Sequence, residues 1–94
     1  EYTLGNTYHQ IGRVYEQQRN WPESLANYLK ALEWNKKTRN EYALGSNYHQ
    51  IGRVYEQQNM NLEAAKWYRM AIDNFKKFNH PNVEVADASL LRVE

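Results

Sequence analysis

The eleven residues Tyr8-His9-Gln10-Ile11-Gly12-Arg13-Val14-Tyr15-Glu16-Gln17-Gln18 recur without change as Tyr48 through Gln58, forty positions further on. A self-match at fixed spacing calls for a stack of like units, because one irregular core would place the two copies in different surroundings. Aligning residues 1–40 with 41–80 gives 20 identities, 15 of them in the first 18 positions and only 5 in the remaining 22. Each unit thus has a near-duplicate first half and a diverged second half. Stacks of this kind present a surface, so binding is expected of them before catalysis.

The first half reads as an amphipathic helix. Leu4, Thr7, Tyr8, Ile11, Gly12, Val14 and Tyr15 gather on one side at about 100° per residue, with Tyr8, Ile11 and Tyr15 near its centre. Asn6, His9, Gln10, Arg13, Glu16 and Gln17 occupy the opposite arc. The second half repeats the helical spacing with Leu25, Tyr28, Leu29, Ala31 and Leu32, and in the second copy with Ala64, Ala65, Trp67, Tyr68, Ala71, Ile72 and Phe75. Links as short as residues 19–23 and 59–63 force neighbouring helices to lie antiparallel. Asn20 reads as an N-cap with Glu23 completing a capping box and Pro22 in the first turn; Asn61 reads as the cap of the later helix. Lys36-Lys37 and Lys76-Lys77 sit where a helix C-terminus favours cations.

Pro81 reads as the opening of a fifth helix over residues 82–94, with His80 or Asn79 as its cap. Shifted by 40, Ala88 and Leu91 fall on Tyr48 and Ile51, and Arg92 stands where the glycine recurs. The chain divides into a unit at 1–40, a second at 41–80, and a degenerate first helix of a third unit, or a capping helix, at 81–94. Two units are fewer than the about three such stacks usually need. Ala88 and Leu91 are therefore expected to show an uncovered apolar face, leading to self-association through the C-terminal helix or to marginal stability. Glu1-Tyr2-Thr3 falls at the same phase as Glu41-Tyr42-Ala43, which suggests a segment of a longer array.

Composition narrows the partners. With 12 basic against 11 acidic residues the net charge is +1, which makes no electrostatic case for nucleic acid or an anionic membrane. The chain has no cysteine, so disulfides and Cys-ligated zinc are excluded. No apolar run approaches a membrane span and no signal-peptide pattern opens the chain, so a cytoplasmic location is the default expectation. A mean hydropathy of −0.98 is low for a packed core, but eight Tyr and three Trp bury ring area without raising it.

Tyr8, Ile11, Gly12 and Tyr15 in the first helix, with Ser24, Tyr28 and Ala31 in the second, resemble the tetratricopeptide repeat. The second copy supplies Tyr48, Ile51, Gly52, Tyr55, Ala64, Tyr68 and Ala71 at the same spacings. Ser24 departs from the usual Ala, Lys36 and Lys76 stand where the family places a helix-ending Pro, and the period is 40 instead of 34. In this the chain is similar to the long-repeat arrays of kinesin light chains and of bacterial signalling receptors fused to NTPase or protease domains. The resemblance implies an all-α, right-handed α-solenoid of antiparallel helix pairs: two repeats plus one extra helix, five helices in all. Gly12 and Gly52 would let the paired helix approach closely, since a helix-interior glycine otherwise costs about 0.5–1 kcal/mol against Ala.

The resemblance also implies a concave groove lined by first helices. That assigns Asn6, His9, Gln10, Arg13, Glu16 and Gln17, then Ser46, His49, Gln50, Arg53, Glu56 and Gln57, with Ser89 and Val93 extending the row. The copies agree there at five positions although these are expected to face solvent, while exposed second-helix positions have diverged. A ladder of like donors facing an extended peptide or protein segment would account for this, within a larger scaffold or signalling protein. Arg13 and Arg53 suit capture of carboxylate or phosphate, and His9 and His49 would add pH dependence near neutrality.

Blander readings compete: a duplicated solvated face, or Arg13 and Glu16 pairing with each other at i,i+3 for a few tenths of a kcal/mol. The rival function is a structural spacer or self-association segment with no groove ligand. No enzyme activity, cofactor or metal is expected. His9 and Glu16 lie about 10.5 Å apart along the helix, too far to share an ion, and no phosphate loop, nucleophile elbow or HExxH motif occurs. Trp21, Trp34 and Trp67 read as packing residues of the second helices.

Overall fold

The computed structural model describes the backbone of residues 2–94 and the side chains from residue 4 onward. Its helices run in chain order α1 (Tyr2–Gln17), α2 (Trp21–Lys37), α3 (Leu44–Gln57), α4 (Asn61–Lys77) and α5 (Val83–Val93), with a 3₁₀ turn at Glu41–Ala43 before α3. No strand occurs among the described residues, so the architecture is all-α. α1 packs on α2 and α3 on α4; α2 also packs on α3, and α4 on α5.

Tyrosine and glycine set the spacing inside each pair. A Cβ built at Gly12 would stand 2.7 Å from the Tyr28 ring, and one at Gly52 would stand 2.8 Å from the Tyr68 ring. Ring and glycine therefore fit as knob and hole within each pair. Ser24, the departure from the family pattern, is fully buried and donates its hydroxyl to the Gly12 carbonyl at 2.9 Å. Trp21, Leu25, Tyr48, Tyr55 and Trp67 close around a core of Tyr28, Leu32, Leu44, Ile51 and Val54. Asn35 donates to Asn47 Oδ1 at 2.8 Å within the α2–α3 contact, where both side chains are buried.

The helix ends differ from the expected capping. Asn20 occupies the N-cap of α2, but its side chain makes no capping bond and no capping box with Glu23 forms. Met60, not Asn61, is the N-cap of α4, and Asn82, not His80 or Asn79, is that of α5. Pro81 lies in the turn before α5, where His80 Nδ1 accepts from the Asn82 amide at 3.0 Å. At the opposite ends, Arg19, Arg39, Asn59 and Asn79 take positive φ of 60°, 60°, 63° and 52°. At α1 the Arg19 amide donates to the Glu16 carbonyl and the Asn20 amide to the Tyr15 carbonyl, and the other three ends repeat this double bond. It is the Schellman geometry, closed here without glycine.

α5 also enters in a different register from the expected one. Five residues separate α4 from α5, against six between α2 and α3. The helix is thereby set back by one, and its positions match α3 at an offset of 39. Leu90, not Leu91, packs against the Ala71–Ile72–Phe75 cluster as Ile51 packs in its own. Arg92 takes the place of Arg53, not of Gly52. Ala88 and Leu91 are exposed as expected, but Ser89 is buried, in disagreement with its assignment to a solvent-facing row.

Candidate functional site

The arc of α1 that carries Asn6, His9, Arg13, Glu16 and Gln17 faces the same side as its counterpart on α3. Three shallow depressions follow one another along this side. One, of about 270 Å³, is lined by Asn6, His9 and Ser46 together with Gly5, Asn35, Tyr42, Ala43 and Asn47. A second of about 270 Å³ is lined by Arg13, Glu16, Gln17, Arg53 and Gln57. The third, of about 210 Å³, is lined by Ser46, His49, Gln50 and Arg53 with Phe75, Asn82 and Val85.

Glu16 organises the middle of this surface. Its Oε1 accepts from the Tyr28 hydroxyl at 2.6 Å and from Arg53 Nη2 at 2.9 Å. Its Oε2 accepts from Arg53 Nε at 2.7 Å and from Gln57 Nε2 at 2.6 Å. Burial pushes the Glu16 carboxyl up, but the hydrogen bonds from Arg53 and Tyr28 together outweigh it and hold the group below the usual carboxylate range. The same bond to Glu16 raises Arg53, so both charges persist across the physiological range. Arg13, the rival local partner three residues before Glu16, forms no ion pair with it.

The arrangement recurs one pair later. Glu56 Oε1 accepts from the Tyr68 hydroxyl at 2.7 Å and from Arg92 Nη2 at 2.8 Å, and Oε2 from Arg92 Nε at 2.6 Å. The bond from Arg92 lowers the Glu56 carboxyl. Each carboxylate thus ties a tyrosine of the next helix to an arginine of the helix after that. Bidentate arginine–carboxylate bonds of this kind fix orientation as well as adding energy.

The histidines are absorbed in a parallel way. His9 Nε2 stands 3.3 Å from Gln50 Nε2, and His49 Nε2 stands 3.0 Å from Ser89 Oγ. Their rings lie 5.9 and 5.2 Å from those of Tyr28 and Tyr68. Burial lowers both, and Arg53 and Arg92 add to it at His49, which falls to about 4. His49 therefore does not titrate near neutrality, contrary to the expectation, and His9 is shifted in the same direction. Gln50 Oε1 is buried at the third depression without a hydrogen-bond partner.

The family model for the tetratricopeptide repeat matches residues 3–77. The chain belongs to the tetratricopeptide repeat family. Tetratricopeptide repeats are in general protein–protein interaction modules. No curated protein and no solved structure matches the chain.

Within this repeat, the residues expected to line a groove separate into two sets. Asn6, Gln10, Arg13 and Gln17 are exposed, Ser46 is partly buried, and Gln57 is exposed but donates to Glu16. His9, Glu16, His49, Gln50, Arg53, Glu56 and Ser89 are engaged in the internal bonds described above, so the picture of a solvent-facing donor ladder is corrected at those positions. Tyr42, Asn82 and Val85 line the depressions and Arg92 completes the second clamp, although the sequence reading passed over them in this capacity. An arginine at offset 39 from Arg53 was the available signal. Among the described residues no cluster of three or more metal-ligating side chains occurs, and no helix is long and apolar enough to cross a membrane.

Proposed function

We propose that this chain binds an extended, carboxylate-bearing peptide or protein segment along the face shared by α1, α3 and α5, as part of a larger scaffold or signalling protein. The observation that carries the reading is Arg13. It is exposed, it lines the same depression as Arg53, Gln17 and Gln57, and it forms no ion pair with a described residue. Glu16 is already saturated by four donors, Gln57 among them, so the depression keeps one unspent cation beside the carboxamide of Gln17. Exposed arginine with a neighbouring carboxamide suits bidentate capture of a carboxylate while the amide meets a peptide backbone.

Fluorescence anisotropy with labelled acidic and neutral decapeptides tests this. Acidic peptides should bind more weakly as salt rises, and Arg13→Ala should lower affinity about tenfold, the loss of about 1.4 kcal/mol, with helicity unchanged. Equal binding of neutral peptides, or an Arg13→Ala variant that binds as before, would exclude it.

The second reading is a spacer with no groove ligand. It is favoured by the internal bonding of Glu16, Arg53, Glu56 and Arg92, which accounts for the duplicated positions through assembly alone. A protein that binds no peptide in the same experiment, and whose Arg13→Ala variant is indistinguishable from wild type in every measurement, fits the spacer.

A further inference from the structure

The outer side of α1 repeats a surface that α3 keeps buried. Leu44, Ile51 and Val54 on α3 are 9%, 0% and 0% exposed because α2 lies on them through Tyr28 and Leu32. Their counterparts Leu4, Ile11 and Val14 on α1 are 41%, 38% and 52% exposed. Charge follows the same pattern. Arg53 clamps Glu16 of the preceding helix pair, whereas Arg13 has no carboxylate partner among the described residues.

We infer that this side of α1 is a docking surface for a second copy of the chain, joined head to tail. The α1 of one copy would sit on the α4 of the next, in the slot that α5 fills within a single copy. Both halves of that contact have a template in the α2–α3 junction. α4 offers Tyr68 and Ile72 where α2 offers Tyr28 and Leu32, and Glu56 stands where Glu16 does. The incoming helix brings Ile11 for Ile51 and Arg13 for Arg53.

α5 is the weaker occupant of the slot. It has 11 residues against 16 in α1, and it meets His49 with Ser89 where α3 meets His9 with Gln50. The Arg92 side chain is 56% exposed in its clamp, against 38% for Arg53. A contact between two different surfaces leaves one of each free at the ends, so the association is open-ended. The association needs no groove ligand, but it spends Arg13, so a second copy and a groove carboxylate would compete for that side chain.

Sedimentation equilibrium of the full chain tests it, with α5 unseated by Leu90→Asp or, more gently, by Arg92→Glu. The average mass of these variants should rise with concentration to at least twice the monomer, and adding Ile11→Asp to either should return it to the monomer. A charge-exchange arm separates a defined contact from general stickiness. Chains carrying Arg13→Glu and chains carrying Glu56→Lys should each stay monomeric alone and associate when mixed. A variant that remains helical by circular dichroism yet monomeric throughout would overturn the proposal. So would association that survives Ile11→Asp, or a mixture of the charge variants that does not associate.

Discussion

Arg53 reaches back 37 residues to hold Glu16 at 2.7 Å, in a clamp that the Tyr28 hydroxyl completes from a third helix. Arg13 occupies the same position in an identical eleven-residue stretch and holds no carboxylate among the described residues. The same substitution should therefore have unlike effects in the two copies. Arg53→Ala leaves a mostly buried Glu16 carboxylate without its cation and should destabilise the fold by about 2–3 kcal/mol. Arg13→Ala, at an exposed side chain, should stay within about 0.5 kcal/mol of wild type. Urea denaturation of both variants checks this, and equal losses would mean that the clamp contributes nothing.

That contrast also marks where sequence stops being informative. Helices are legible because Tyr8, Ile11, Gly12 and Tyr15 declare themselves within a few turns and the repeat shows each of them twice, although Ile11 is exposed on α1 where Ile51 is buried on α3. The Glu16–Arg53 bond is not legible, since its partners are 37 residues apart and Arg13 offers a plausible local alternative. The register of α5 escapes for a smaller reason. One residue fewer in the turn containing Pro81 shifts every later position, and the apolar pattern of a short helix tolerates either offset. The capping residues fail because Asn20, at φ −90° and ψ 80°, lies outside the extended backbone region from which a capping side chain reaches the N2 or N3 amide, and because the turn puts Met60, not Asn61, at the N-cap of α4.

Gly52→Ala sets helix propensity against packing. In an open helix the change would gain about 1 kcal/mol. Here the new methyl group would meet two Tyr68 ring atoms at 2.8 Å and the Ala64 carbonyl oxygen at 3.3 Å. The ring is fully buried and its hydroxyl is tied to Glu56, so it has little room to yield. A net loss of about 1–3 kcal/mol is expected, read as a lower thermal midpoint. A variant more stable than wild type would show that ring and glycine are not in contact.

Arg39 ends α2 in the left-handed region at φ 60°, a conformation that costs a residue with a Cβ about 1–2 kcal/mol and glycine almost nothing. Its side chain is exposed. Arg39→Gly should therefore stabilise the protein by about 0.5–1 kcal/mol after the added freedom of the unfolded chain is subtracted. Arg39→Ala should not. Thermal melts of the pair decide the matter, because a gain shared by both substitutions would point to charge and not to backbone geometry.

His49 gives stability a pH dependence with a definite sign. Burial, reinforced by Arg53 and Arg92, lowers it from 6.5 to about 4 in the folded protein, while Glu56 and Glu16 pull weakly the other way. The unfolded chain binds the proton first as pH falls, so the contribution is complete above about 6.5 and drains away between 6.5 and 4. After screening at a ring that is not fully enclosed, the loss should be on the order of 1–2 kcal/mol. Glu16 and Glu56, both held below 4.5, lose their share only at still lower pH. Denaturation midpoints measured from pH 7.5 to 4 should thus begin to fall near 6.5, ahead of the carboxylates. His49→Gln should flatten the upper part of that fall and leave the part below 4.5 in place. A wild-type midpoint constant down to pH 5 would mean that His49 is not held neutral against Ser89 and the Tyr68 ring.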